Sequence, residues 1–406
     1  MSLWGTAWKN IRFRKTISVL TIFSVAVAVA LAVFITLTQE GVEKGAAKGY
    51  GPYELVIGAE GSGTQLALNT FYHLGAPVGN ISYEIYEQIQ QSEWVDKAYP
   101  VTKGDNYQGF QIVGTETGYL STRYPDASLL EGTLYQKPGE VLIGSHVAKT
   151  LGLRVGDEFY GGHGAVWSKT EEHDNLTYKV VGILPPLFTP DDKAIFTTVD
   201  TAWLIHGGEG HEAEQQGTQG NEEHAGEGDI TAIVVKPKGL AELQMLKSQM
   251  NQQEKVQAVY SSKTIADVIN MLDVGGKLVK LMAFASVLLA SIAVLLSLSA
   301  SAAERKKDIG LLRLLGKSKM YIMSGMLIEG SILTSIGMIV GIVTGHVGSW
   351  MVSGKIFDYA GIQIQPWTFF YSEVYIMLGA LILGVVASIW PALRAYKVQP
   401  LELFHS

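Results

Sequence analysis

Residues 17–38, ISVLTIFSVAVAVALAVFITLT, contain no charged side chain. As an α-helix this stretch is long enough to cross the roughly 30 Å hydrocarbon core of a bilayer. No other feature restricts the fold as strongly. Three more apolar runs approach or exceed the same length, at about 281–303, 320–347 and 369–393. A cleaved signal peptide would have a shorter apolar core followed by a small-x-small cleavage site. Neither holds for the first run, so it is read as a span. Cysteine is absent, which excludes disulfides, thiolate catalysis and cysteine metal sites.

Charge sets the expected orientation. Residues 1–16 carry Lys9, Arg12, Arg14 and Lys15 and no acid, and read as an amphipathic cytoplasmic helix. Segment 304–319 holds six basic residues against two acidic ones, and the tail 394–406 has Arg394 and Lys397 against Glu402. Residues 39–277 hold 17 Lys and Arg against 32 Asp and Glu. Positive flanks stay inside. The expected architecture is therefore four transmembrane α-helices in a 1+3 arrangement, with a large α+β extracytoplasmic domain between spans 1 and 2. Both termini and the 304–319 loop are expected on the cytoplasmic side of the membrane.

The acidic segment reads as a folded domain because its apolar pattern is dense and changes period. Strands are predicted at 53–57, 95–101, 109–114, 140–143, 157–160, 179–184, 194–198, 230–235 and 256–260. Helices are predicted at 83–91, 145–151 and 240–251. QQSEWVDKAY (90–99) and QQEKVQAVY (252–260) each end a helix and enter a strand. That echo suggests one split α+β subdomain with a second, mostly β subdomain at about 135–230. In the 60–80 segment, Ala67, Thr70, Phe71 and Leu74 share a helical face, fit for core packing or for an apolar substrate. The 206–229 loop is rich in Gly, Glu and Gln and carries His206, His211 and His224. Their spacing matches no defined metal site, and the composition is that of a solvated, disordered acidic loop. No nucleophile, acid–base or metalloprotease motif is present, so no catalytic residues are assigned and no enzyme activity is expected. No nucleic-acid partner is expected either.

KKDIGLLRLLGKSKM (306–320) contains Gly-Lys-Ser, the end of a phosphate-binding loop. A Walker A loop places four residues between its glycines; here five separate Gly310 from Gly316, and four of them are leucine. Read as a helix, Lys306, Gly310, Arg313 and Lys317 share one face, with Ile309, Leu311, Leu312, Leu314 and Leu315 across much of the opposite arc. The stretch is a short basic amphipathic helix at the membrane surface. Gly316 suits its C-terminal cap and Ser318 the start of the next helix.

In the third run, Glu329 lies about two turns in. An intramembrane carboxylate is a functional candidate, with a structural hydrogen bond at a helix interface as the competing reading. Gly337, Gly341 and Gly345 form a small-residue ridge suited to packing against another span, in the same chain or across a dimer.

The segment Glu304-Arg305-Lys306-Lys307-Asp308-Ile309-Gly310-Leu311-Leu312-Arg313-Leu314-Leu315-Gly316 resembles the region after the second span of FtsX/MacB-type ABC transporter permeases. So do Ile328-Glu329-Gly330, Pro391-Ala392-Leu393-Arg394-Ala395, Pro400-Leu401-Glu402-Leu403 and the basic start from Trp8 to Lys15. The resemblance implies a homodimer, or a heterodimer with a related permease, joined to a separate ABC ATP-binding subunit. That subunit would carry ATP and Mg; this chain would hold no cofactor. Residues 304–316 would be the coupling helix, with Glu304, Asp308 and Gly316 as part of the motif. Arg305, Lys306 and Arg313 would meet the ATPase, and Ile309 and Leu312 would pack in its groove. The implied function is efflux or extraction of an amphiphile such as a peptide, antibiotic, haem or lipoprotein. The alternative is FtsX-like signalling to an external cell-wall hydrolase. Membrane lipids and an external accessory protein complete the implied partners.

Overall fold

The computed structural model describes residues 3–163, 172–206, 228–304 and 306–397. The chain divides into two compact units. One comprises residues 1–41, 272–355 and 364–406; the other comprises 42–271 and 356–363.

The first unit is helical. A short helix α1 (Leu3–Phe13) precedes α2 (Lys15–Tyr50). The long helices α9 (Ser261–Glu304) and α11 (Lys319–Ala360), the short α10 (Lys306–Leu314) between them, and α12 (Tyr371–Lys397) follow the sheet domain in sequence. Four stretches are long and apolar enough to cross a membrane: Lys15–Tyr50, Leu281–Ser301, Lys319–Ala360 and Tyr371–Leu393. Their shared core includes Val25, Val29, Val33 and Leu37 of α2, Val294 and Leu298 of α9, and Ala387 of α12. The remaining apolar surface is outward: Leu281, Phe284, Leu288 and Leu296 of α9 are all exposed. That is the pattern of helices solvated by lipid. At about 1.5 Å per residue, the 42 residues of α11 extend for roughly 63 Å, about twice the hydrocarbon thickness. The helix therefore outruns the apolar stretch at 320–347 and ends only at Gly361, whose φ of +65° stops it.

The second unit is a mixed sheet covered on both faces. Its strands are β1 (Leu55–Ala59), β3 (Val95–Tyr107), β4 (Phe110–Thr115), β5 (Glu131–Gly132), β6 (Glu140–Ile143), β7 (Glu158–His163), β8 (Glu172–Ile183), β9 (Ile195–Thr197), β11 (Ala232–Pro237) and β12 (Val256–Tyr260). The order is β12-β1-β11-β3-β4-β9-β6-β8-β5, with β7 pairing both β3 and β8. A short pair, β2 (Ile81–Ser82) and β10 (Asp229–Ile230), stands apart. Helices α3 (Gly63–Tyr72), α4 (Tyr83–Gln90), α5 (Thr117–Arg123), α6 (Ser145–Leu151), α7 (Val199–His206) and α8 (Leu240–Met250) complete the unit.

The two helix–strand echoes are α4–β3 and α8–β12. They flank the antiparallel β1–β11 pair and give the order of a split βαβ motif. Strand alternation sends Leu55, Ile57, Ile233 and Val235 to one face and Val56, Ala232 and Val234 to the other. The second face is continuous: Val56, Val101, Val113, Leu142 and Phe196 share one core. On the first face the core divides, with Ile112, Val141, Ile143, Val180 and Ile195 forming a separate cluster. The strands of the stretch expected to form a second subdomain at 135–230 thus join the same sheet, because β9 pairs parallel with β4 and β7 pairs with β3.

Helix α3 places Ala67, Thr70 and Phe71 in the buried core, with Leu74 packed against it. The shared face seen in the sequence is thus a packing face. Residues 207–227, which hold His211 and His224, lie outside the described residues. His206 ends α7. Among the described residues no group of His, Asp or Glu is arranged to hold a metal ion.

Candidate functional site

The basic connector is built by two caps and one apolar anchor. Gly316, at φ +88°, ends α10 with a Schellman pair: Lys317 N–H donates to Leu312 O at 3.0 Å and Gly316 N–H to Arg313 O at 3.1 Å. Ser318 starts α11 by accepting the Tyr321 N–H on its Oγ at 3.1 Å. Gly-Lys-Ser is thus a helix stop followed by a helix start, and Lys317 rests over the Tyr321 ring, 4.8 Å from its centroid.

The structure corrects the helical wheel in two respects. The helix ends at Leu314, so Lys317 lies past the cap and does not continue the basic face. Gly310 is buried rather than facing outward with Arg313. Ile309, expected against a partner, is buried against Ile322, Met326 and Ala392 of its own chain. It anchors the connector to α11 and α12. The outward apolar surface consists of Leu311, Leu312, Leu314 and Leu315, all exposed, beside half-buried Arg313. Arg305 lies outside the described residues, and of Lys306 and Asp308 only the backbone is described, as part of α10. Glu304 ion-pairs with Arg14 of the N-terminal segment.

Glu329 is buried, and one carboxylate oxygen accepts a bond from Asn10 Nδ2 at 3.3 Å. The carboxylate thus ties α1 to α11. The opposite side of α1 exposes Trp4, Trp8 and Phe13, while Ala7 and Ile11 are buried, an arrangement suited to the lipid interface. Gly337, Gly341 and Gly345 pack on α2 of the same chain. A Cβ at Gly337 would lie 2.7 Å from Val25 Cβ, one at Gly341 2.7 Å from Ala26 O, and one at Gly345 2.9 Å from Val33 Cβ. The ridge brings the two helices to backbone contact.

Two polar clusters escaped the sequence reading. In the helical unit, His346 of α11 places Nδ1 2.6 Å from Pro366 O and Nε2 3.1 Å from the fully buried Glu373 carboxylate. Its ring stacks on Trp367 with an interplanar angle of 6°. The other Glu373 oxygen accepts the Phe370 N–H at 2.9 Å, the carboxylate half of a capping box at the start of α12.

In the sheet domain, four ionisable side chains meet in the core. His73, in the left-handed conformation that ends α3, puts Nε2 2.9 Å from Asp191 Oδ1. Asp191 Oδ2 lies 3.3 Å from Arg123 Nη1 and accepts the Tyr124 hydroxyl at 2.9 Å. Lys103 Nζ donates to His73 Nδ1 at 2.8 Å and to the α3 carbonyls of Asn69 and Thr70. Burial, then the Lys103 charge, pulls the His73 imidazole down to about 4, so the ring is neutral and donates through Nε2 to Asp191. Burial likewise lowers the Lys103 amine to about 7, against the attraction of Asp191. Burial opposes charge on Asp191 too, but the Arg123 guanidinium and the His73 bond outweigh it and hold the carboxyl below its usual range. The sequence carries no signal for this cluster: Lys103, Arg123 and Asp191 lie outside every predicted strand and helix, and His73 lies at the polar edge of the 60–80 segment.

Comparisons with known proteins agree with this architecture. The MacB-like periplasmic core domain pattern matches residues 18–253, and the FtsX-like permease C-terminal pattern matches residues 280–400. An uncharacterised ABC transporter permease of Methanocaldococcus jannaschii is 23% identical over 228 residues, 55% of this chain and 54% of that protein. The uncharacterised ABC transporter permease YknZ of Bacillus subtilis is 32% identical over 29% of this chain and 28% of its own length. The lipoprotein-releasing system transmembrane protein LolC of Xylella fastidiosa is 29% identical over 24% of this chain and 27% of its own. The chain therefore spans about half of the first relative and little more than a quarter of the other two. The solved extracellular domain of the noncanonic ABC-type transporter YknZ from Gram-positive bacteria is similar to 50% of this chain, over 98% of that domain. Its identity is 10% and the TM-score 0.29. With a MacB-like core pattern over more than half of its length and an FtsX-like pattern over its last three spans, the chain belongs to the FtsX/MacB-type family of ABC transporter permeases.

Proposed function

We propose that this chain is the permease subunit of a transporter whose ATPase is a separate protein, and that it moves its sheet domain to expel or extract an amphiphilic substrate. The observation that carries the reading is the connector. The connector is pinned to the spans through Ile309, yet it turns Leu311, Leu312 and Leu314 of α10, Leu315 beyond it, and Arg313 outward. Exposed leucines on a rigid, capped helix between two spans fit a groove on another protein better than they fit water. The excess of basic residues at 1–16, 304–319 and 394–406 supports a cytoplasmic position for that helix and both termini, on the side where the ATPase would hold ATP and Mg. The acidic sheet domain then lies outside a bacterial cytoplasmic membrane. The functional unit is a dimer, of two copies or of this chain with a related permease. Peptides, antibiotics, haem and lipoproteins are the substrate classes of this reading, the last in keeping with the likeness to LolC.

In proteoliposomes holding the permease and its ATPase, Leu312→Asp and Arg313→Glu are expected to cut substrate-stimulated ATP hydrolysis by tenfold or more. Each should leave membrane insertion and the isolated ATPase rate unchanged. Ile309→Ala should instead lower the thermal stability of the permease, because its side chain is buried within the chain. Full coupled activity in both surface variants would overturn the assignment of α10. Copurification of a cell-wall hydrolase on the sheet domain, with no substrate-stimulated ATPase, would replace transport by signalling.

A further inference from the structure

Two long helices that begin among the spans finish inside the sheet-domain unit: residues 42–50 of α2 and residues 356–360 of α11. The end of α2 is held by side chains. Ala46 O accepts the Tyr72 hydroxyl, Gly49 O accepts Arg123 Nη2, and a Cβ at Gly49 would overlap the Tyr72 ring. The end of α11 is held as closely. Asp358 O accepts Lys193 Nζ, the Phe357 ring lies 5.2 Å from the His146 ring, and a Cβ at Gly361 would stand 2.7 Å from Pro190 Cα. The two ends also touch: a Cβ at Gly45 would lie 2.6 Å from Ile362 Cγ2.

Both grips converge on one 3₁₀ turn, Pro190–Lys193. Asp191 reaches the α2 end through Arg123. Pro190 and Lys193 reach the α11 end directly. Asp192, between them, fastens the turn to the domain by accepting the Leu187 and Phe188 N–H groups at 2.9 and 2.7 Å and the Ser145 hydroxyl at 3.1 Å. Phe188 enters the turn at φ +59°, a conformation costly for an aromatic residue and kept only where its surroundings enforce it. From Asp191 the buried chain continues through His73 and Lys103 to the carbonyl end of α3. Four successive residues therefore join the α11 end directly, the α2 end through Arg123, and the domain itself through Asp192.

We propose that the Pro190–Lys193 turn is the coupling point through which displacement of the outer ends of α2 and α11 is delivered to the sheet domain, with Asp191 and Lys193 as its positioning residues. This rests on the reading of the chain as an ATP-driven permease. The two links differ in kind. Asp191–Arg123 is a buried charged pair, stiff and costly to break. Lys193 to Asp358 O is a single charge-assisted hydrogen bond from a side chain at the end of the turn. Lys193 can thus be altered without leaving a buried charge unpaired.

The absence of cysteine allows direct measurement. Spin labels on Glu131→Cys, exposed on the sheet domain, and Leu281→Cys, exposed at the start of a span, report the distance between the units in the full permease–ATPase complex. The wild type is expected to change that distance between the nucleotide-free and vanadate-trapped states. Lys193→Met is expected to lose half or more of the change while still hydrolysing ATP. Lys193→Arg, which keeps a donor, should restore it. A full wild-type change in Lys193→Met overturns the proposal and leaves the permease reading intact. No nucleotide-dependent change in the wild type overturns both.

Discussion

Asp191→Ala is expected to destabilise the sheet domain by about 3–5 kcal/mol, because it strands a buried Arg123 guanidinium without its carboxylate. Arg123 is fully buried, and its charge survives burial only through Asp191 and the surrounding phenol groups. The variant also removes the acceptor of the His73 Nε2–H and of the Tyr124 hydroxyl. Replacing both charged partners, Asp191→Leu with Arg123→Met, should cost less than the single change, since no charge is then left unpaired. Hydrogen exchange on the full-length protein, read at residues 63–73 and 117–124, reports the loss. An additive double variant would show that the pair is not coupled.

The same cluster makes the domain sensitive to acid. His73 binds a proton near 6.5 in the unfolded chain but only near 4 in the folded one. Between those values the unfolded state holds more protons, so stability falls as the pH drops from 6.5 to 4, by roughly 3 kcal/mol in total. Above 6.5 that stability is fully present. Lys103 acts in a separate window: with its amine lowered to about 7, stability rises as the pH climbs from 7 toward 10.5. His73→Asn keeps a residue tolerant of the left-handed backbone and should abolish the acid window alone. Denaturant midpoints between pH 4 and 7, compared for the two proteins, decide it. Equal pH slopes would remove His73 as the source.

The second large effect concerns the helical unit. Gly341→Leu is expected to drive α11 away from α2, since even a Cβ there would meet Ala26 O and Val29 Cβ at 2.7 Å. Overpacking of this kind costs about 1–3 kcal/mol in adaptable cores, and more where the obstacle is backbone. Gly354 on the same helix has nothing within 4 Å of its would-be Cβ. There Gly354→Ala should stabilise by about 0.5–1 kcal/mol through helix propensity. Opposite shifts in the melting temperature of the detergent-solubilised protein are the expected result. A decrease in both would mean that the ridge is not what distinguishes them.

Much of this protein is decided within windows of a few residues. Charge-free apolar length identifies the spans, because a bilayer offers no partner for an exposed backbone. Period-2 and period-3.6 patterning predicts Glu140–Ile143, Ser145–Leu151 and Val256–Tyr260 with the bounds that form. Gly316 and Ser318 declare their caps through the left-handed backbone and the accepting hydroxyl that those residue types supply. The strand at 95–101 continues to Tyr107 because pairing with β4 and β7 extends it past its apolar stretch. That extension has no local signature.

Tertiary structure decided the rest. Whether Ile309 faces a partner or its own bundle depends on where Ile322, Met326 and Ala392 stand, which no helical wheel contains. The glycine ridge at 337, 341 and 345 announces close approach, but its partner, α2, lies some three hundred residues earlier in the chain. Residues 73, 103, 123 and 191 come from four separate elements, and nothing in their local sequence marks them for one another. A buried charge is tolerated only where the fold delivers its counter-charge and hydrogen bonds together. The sequence supplies such groups singly, and only the folded sheet domain brings them into one buried cluster.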